Sequence, residues 1–240
     1  MINKLLYILK RLYSKNFLYR NKELKEIIDK TSKSISTGTE ITDYIYLYKY
    51  IKKFKPKTVL ECGTGRSTFI IAHTMKKYCG AGSKLISMES VKKYYNAQNK
   101  IFPKKEFPFV KITYSPLKFY KYSLLSGTGY SKIPPLNYNF IFIDGPVGSY
   151  KERYNFEPGK INIDFLNIIL KNKKTKVDGL IDNRKLTVIG YSILFGNKIV
   201  KFNKNLNLGF INKASFDNLK LKKKIYKETI FHDLVNTKLF

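Results

Sequence analysis

Apolar positions recur with two different spacings along the chain, and the change from one to the other marks its elements. From Thr39 to Lys53 (TEITDYIYLYKYIKK), Ile41, Ile45, Tyr48 and Ile51 share one helical face, and Pro56 closes that helix. A first strand begins over Thr58 to Leu60, and a helix runs from about Thr68 to Lys77, ending at Gly80 and Gly82. A second strand is predicted at Leu85 to Met88, a helix at Val91 to Lys100, and a third strand of alternating character at Phe109 to Tyr114. Phe140 to Ile143 is wholly apolar, as in a strand covered on both faces, and it stops at Asp144-Gly145-Pro146. A helix near Ile161 to Lys171, a fifth strand at Val177 to Ile181 and a helix at Leu186 to Phe195 follow. An Asn-rich turn then separates Lys198 to Phe202 from Leu208 to Ile211, which predicts an antiparallel pair at the sheet edge. The second half of Leu117 to Tyr138, with Ser126-Gly127-Thr128-Gly129 and Pro134-Pro135, reads as a loop, and Leu219 to Lys227 as a basic, solvated helix or tail. The pattern predicts an α/β protein: a seven-stranded, mostly parallel sheet with helices on both faces and a terminal antiparallel hairpin.

The most informative stretch is Lys57 to Thr68, KTVLECGTGRST. Glu61-Cys62-Gly63-Thr64-Gly65 puts flexible backbone where a ligand must approach the main chain, and Ser67 and Thr68 are suited to cap the next helix. Such a turn at the head of a βαβ unit suits a small nucleoside-containing ligand. Glu61, Glu89 and Asp144 stand at the carboxyl ends of the first, second and fourth strands. Ligands of open parallel sheets bind across that edge, so these acids are expected to converge. A dinucleotide-dehydrogenase fingerprint fits less well, because its third glycine falls on Thr68 and Glu61 would repel a pyrophosphate.

Val59 to Thr68, with Glu89 lying 28 positions after Glu61, resembles the class I S-adenosylmethionine-dependent methyltransferases, whose fold is Rossmann-like. The resemblance covers roughly Thr39 to Ile211 and departs from the common glycine pattern at Ser67. It implies that Glu61, Gly63 and Gly65 border the methionine and ribose part of the cofactor, with Ser67 and Thr68 near the turn. Glu89 would take the ribose hydroxyls, since a carboxylate accepts two hydrogen bonds from a cis-diol. Ser115 and Leu117 would flank the adenine. Phe140 to Pro146, FIFIDGP, looks like the superfamily's fourth strand, with Asp144 bordering the cofactor and facing the methyl-transfer site. Asp144 with Asp182-Asn183 resembles the ligand set of catechol-type O-methyltransferases, which implies Mg²⁺. Their 38-residue separation is longer than that family leads one to expect, and Arg184 can pair with either acid, so a salt-bridged loop without metal is the plainer reading. Lys151, Glu152, Arg153 and Tyr154 fall in a loop expected to border the acceptor pocket.

Charge adds partners to consider. The chain of 240 residues carries a formal charge of +29, but only Arg11, Arg20, Arg66, Arg153 and Arg184 among its 46 basic residues are arginine. Readers of phosphate and base edges favour the arginine fork, so the field implies nonspecific affinity for polyanions without naming a substrate. Residues 1–38 read as a basic helical extension and 39–240 as the methyltransferase-like domain. The apolar run Leu5 to Leu9 is far short of the ~20 residues that cross a bilayer. Leu5, Leu6, Leu9, Leu12 and Tyr13 are at helical spacing; a helix packed on its own domain is the simpler reading, and peripheral contact with a membrane surface the other. Cys62 and Cys79 lack metal spacing and suit a reducing, cytoplasmic setting. His73 and His232 have no partner at ligand spacing, and Tyr44, Tyr46, Tyr48 and Tyr50 spread around a helix as packing and surface residues. The expected function is transfer of the methyl group of S-adenosylmethionine to a small-molecule or glycan hydroxyl. The alternatives are an RNA methyltransferase using the basic surface and a catalytically silent binding protein of the same fold.

Overall fold

A computed structural model describes residues 2–31, 40–122, 125–145, 161–220 and 230–232. In chain order the elements are α1 (Ile2–Arg20), α2 (Lys22–Lys30), α3 (Ile41–Phe54), β1 (Thr58–Cys62), α4 (Arg66–Tyr78), β2 (Lys84–Glu89), α5 (Lys92–Ile101), β3 (Val110–Tyr114), β4 (Leu117–Tyr122), β5 (Leu125–Tyr130) and β6 (Phe140–Ile143). There follow α6 (Asp164–Lys171), β7 (Val177–Asp182), α7 (Lys185–Phe195), β8 (Val200–Asn203), β9 (Leu208–Ala214) and β10 (Ile230–His232). Seven strands form one sheet in the order β3-β2-β1-β6-β7-β9-β8. The first five are parallel, β9 runs antiparallel to β7, and β8 pairs antiparallel with β9. The chain steps outward from β1 to β3 and then returns to β6 beside β1. That reversal opens a crevice between the β1 and β6 tips, where open α/β sheets bind ligands.

Strand alternation assigns residues to two cores. Val59, Leu85, Phe140, Phe142 and Leu180 pack with α3 and α4, whose Ile45, Tyr48, Ile51, Ile70 and Ile71 are buried. Leu60, Met88, Ile141, Ile143 and Ile181 face the other way, against Phe165, Leu166, Tyr191 and Leu194 of α6 and α7. The tyrosines of α3 serve packing, as expected. Tyr50 stacks on Phe140 at 4.2 Å and donates to Asp178, while Tyr48 and Tyr78 both donate to Glu23 of α2. Leu24 and Ile27 of α2 enter the same core as α3 and α4. α1 lies along α3, joined by Ser14 to Thr42 at 3.3 Å and by the Lys10–Glu40 ion pair at 3.3 Å.

The loop expected after Leu117 is largely a second sheet, of order β10-β4-β5. Ser126-Gly127-Thr128-Gly129 forms part of β5, and its glycines answer to packing instead of turning. A Cβ on Gly127 would meet the Ile161 carbonyl at 2.2 Å, and one on Gly129 would meet Asp164 Oδ1 at 2.5 Å. Only the stretch after Tyr130, with Pro134-Pro135, is irregular. Both cysteines are buried and free. His73 is half-buried and edge-on to Phe107, and burial lowers its pKa; His232 pairs across β10 with Phe119. Lys151 to Tyr154 and the part of the expected basic tail from 221 to 227 lie outside the described residues.

Candidate functional site

Period two and parallel register together place the acids. Glu61 pairs across the sheet with Ser87 and Phe142, and Phe142 with Leu180, so all four share the α3–α4 face. Two residues further along their strands come Glu89, Asp144 and Asp182. The four carboxylates therefore occupy one edge and one face of the sheet. The turns that carry them are locked together. Gly63 has φ +99° and donates its N–H to the Met88 carbonyl, while Asp144 N–H donates to the Cys62 carbonyl. A Cβ on Gly145 would stand 2.8 Å from Gly63 Cα, so these two glycines let the β1 and β6 turns touch main chain to main chain.

In the half beside β1 and β2 the polar groups find ordered partners. Gly65 is the N-cap of α4, and neither Ser67 nor Thr68 is the cap. Thr68, in the first turn, instead accepts the Gly65 N–H at 3.0 Å and donates to Glu61 Oε2 at 2.7 Å. Glu61 is fully buried and its pKa is pushed up to about 7 by burial, which the hydroxyls of Ser67, Ser87 and Thr68 partly oppose. Its Oε1 is buried with no hydrogen-bond partner among the described residues. Glu89 Oε1 accepts the N–H groups of Ser90 and Val91 at 2.8 Å each, which opposes the upward push of burial on its pKa. Gln98 of α5, which pattern alone did not single out, donates to the Gly65 carbonyl at 3.0 Å. Ser115 adjoins Glu89 through its N–H, but its buried hydroxyl accepts from Lys132 N–H. Leu117 packs against the opposite core.

The half beside β6 and β7 is built differently. Asp182 lies within hydrogen-bonding and Coulombic reach of both Asp43 and Asp144. Burial first, and Asp182 second, push Asp43 up to about 9 and Asp144 up to about 8, with the positive charges of Lys10 and Arg184 opposing each in turn. Neighbouring carboxyls that share hydrogen bonds must keep a proton between them. Asp43 comes from the first turn of α3 and is buried with its Oδ1 unpartnered among the described residues. Tyr44, next to it, senses Arg66, Asp144 and Glu61, and burial raises its pKa. Only the packing of α3 across the strand tips reveals either residue. Arg184 bonds Asp144 through the main-chain carbonyl, donating from Nη2.

The donors suit the two ligands implied by the sequence unequally. An orphaned buried carboxylate oxygen at Glu61, a main-chain-oriented Glu89 and a glycine turn opening α4 fit a cationic, ribose-bearing cofactor such as S-adenosylmethionine. Magnesium is not supported. Asn183 is exposed, with its N–H committed to Asn207, and the third acid beside Asp144 and Asp182 is the helix residue Asp43. Among the described residues no group of three or more His, Cys, Asp or Glu side chains is arranged to hold a metal ion.

No protein-family model matches the chain, and no curated protein matches it in sequence. Solved structures do. A Staphylococcus aureus protein provisionally assigned as a caffeoyl-CoA O-methyltransferase superposes with a TM-score of 0.52 at 14% identity, over 86% of this chain and 100% of that one. An O-methyltransferase from Bacillus cereus in complex with SAH gives 0.45 at 13% identity, over 80% and 90%. The SAH-bound Podospora anserina methyltransferase PaMTH1 gives 0.44 at 16%, over 76% and 73%. By strand order and by superposition on the first of these, the chain has the fold of the class I methyltransferases.

Proposed function

We propose that this protein is an S-adenosylmethionine-dependent methyltransferase whose acceptor is a hydroxyl of a small molecule or glycan. The observation that carries this reading is the gathering of Glu61, Glu89, Asp144 and Asp182 on one edge and one face, around a crevice opened by the Gly63–Gly145 contact. Glu89 would accept the ribose hydroxyls, for which its main-chain bonds hold it in place. Glu61 would offer Oε1 to the cationic methionine end. Bound there, the cofactor supplies a methyl group on a sulfonium.

The chain itself has to align the acceptor and keep water out. Asp144 is the candidate general base: it would take the hydroxyl proton on its carboxylate while the acceptor oxygen gains the methyl. A base that titrates near 8 matches work close to neutral pH. The test is calorimetry with S-adenosylmethionine and S-adenosylhomocysteine, followed by an acceptor screen with Asp144→Asn as control. Failure of both nucleosides to bind would sink the reading. The charge of +29 favours RNA as the second choice of acceptor. That version requires methylation of RNA and a steep loss of RNA binding with salt.

A further inference from the structure

α1 has two unlike faces. At 100° per residue, Lys10, Ser14 and Phe17 lie on the side that meets α3, through Glu40, Thr42 and Lys49. On the opposite side Ile8, Leu9, Leu12 and Tyr19 fall within an arc of about 100° and are 44%, 52%, 57% and 84% exposed. Arg11 and Lys15, both exposed, flank this arc on one side and Arg20 on the other. Residues 1–22 hold six lysines and arginines and no acid. A helix already docked by one face gains nothing within its own chain from bulky apolar groups on the other.

We infer that the outer face of α1 docks on an anionic lipid surface, with Ile8, Leu9 and Leu12 entering the headgroup boundary and Arg11, Lys15 and Arg20 meeting the lipid charges. A basic rim around an apolar crown is the pattern of helices that lie in that boundary, and the charges complement anionic headgroups. A polyanion such as RNA would use the rim but has no use for the crown. α7 supplies the contrast. Its Leu186, Ile189 and Ile193 are also exposed, but they lie on the other face of the sheet and lack such a rim. Lys10 of α1 reaches Asp43 electrostatically, so the docked face and the acid-lined half of the crevice share one flank of the molecule.

The test is co-sedimentation of the full chain with vesicles of phosphatidylglycerol and phosphatidylcholine, and with vesicles of phosphatidylcholine alone, at ~0.15 M salt. The parent should bind the anionic vesicles and not the neutral ones. Leu9→Ser with Leu12→Ser should weaken binding roughly 10- to 100-fold. Arg11→Gln should cost roughly fivefold. Leu9→Ala with Leu12→Ala, which keeps helix propensity, guards against loss of the helix and should also bind more weakly than the parent. Ile189→Ser with Ile193→Ser on α7 should bind as the parent does. Four results would overturn the inference: no binding to anionic vesicles; undiminished binding by both α1 double variants, which would mean charge alone; an equal loss from the α7 pair; or a concentration-dependent dimer that the α1 variants abolish, which would make a second copy the occupant.

Discussion

The two halves of the crevice share an edge, a face and a supply of acids, yet they treat those acids in opposite ways. Beside β1 and β2 each carboxylate has its own donors: Thr68 for Glu61, and the Ser90 and Val91 N–H groups for Glu89. Beside β6 and β7 the nearest partners of Asp43 and Asp144 include another carboxyl, Asp182. An acid with fixed donors is a positioned acceptor, suited to holding a diol. Acids that lean on each other hold protons, suited to exchanging one with a substrate. Position on the sheet thus supplies the groups, and their neighbours decide what each can do.

The largest expected effect removes the boundary between the halves. Gly63→Ala forces a side chain into φ +99° and to within 3.0 Å of Gly145 N, and should cost about 2 to 4 kcal/mol in denaturant unfolding. A variant as stable as the parent would mean the turns do not depend on their contact. Next, Glu89→Ala should weaken S-adenosylhomocysteine binding roughly 10- to 100-fold, since hydrogen bonds to a charged group are lost. Asp43→Asn should leave that affinity within about twofold. Equal losses in the two variants, read by calorimetry, would erase the distinction between the halves.

A subtler effect concerns pH. Asp43 and Asp144 ordinarily titrate at 3.8, and folding raises them to about 9 and about 8. The folded protein therefore binds more protons than the unfolded chain. The stability these groups contribute is complete below 3.8 and drains away as pH rises through 8 and 9. Asp43→Asn keeps the neutral form permanently, so its melting temperature should match the parent near pH 5 and exceed it near pH 9. Parallel melting curves for the two proteins across that range would contradict the crowded-carboxyl picture. Smallest of all, Lys25→Ala breaks only the exposed Lys25–Asp29 pair on α2, and melting and cofactor binding should both be unchanged. A measurable shift there would show that surface charge reaches the crevice.

Much of this arrangement was legible before any coordinates. The acids at 61, 89 and 144 were expected at one sheet edge, because strands announce themselves by unbroken apolar runs and end where the polar residue follows. The same alternation also predicts that all four acids share a face, since each lies an even number of residues from a buried neighbour in register. Asp43 was not legible as part of the site. It is an acid in the first turn of an amphipathic helix, a place where acids are common for reasons of helix polarity. Gly127 and Gly129 misled in the other direction, because glycine signals a turn as readily as it signals a neighbour pressed close.

Local rules let the chain itself determine the strand, glycine turn and helix around residues 58–78, the parallel order of its βα units and the acids at their tips. Each of these depends on residues a few positions apart, through backbone sterics and the periods of helix and strand. Tertiary structure alone decided that the helix before β1 would lay Asp43 and Tyr44 across the tips of β6 and β7, that β4 and β5 would leave the main sheet, and that one face of α1 would stay uncovered. Those outcomes depend on which surfaces meet, and that is settled by contacts between residues far apart in the chain.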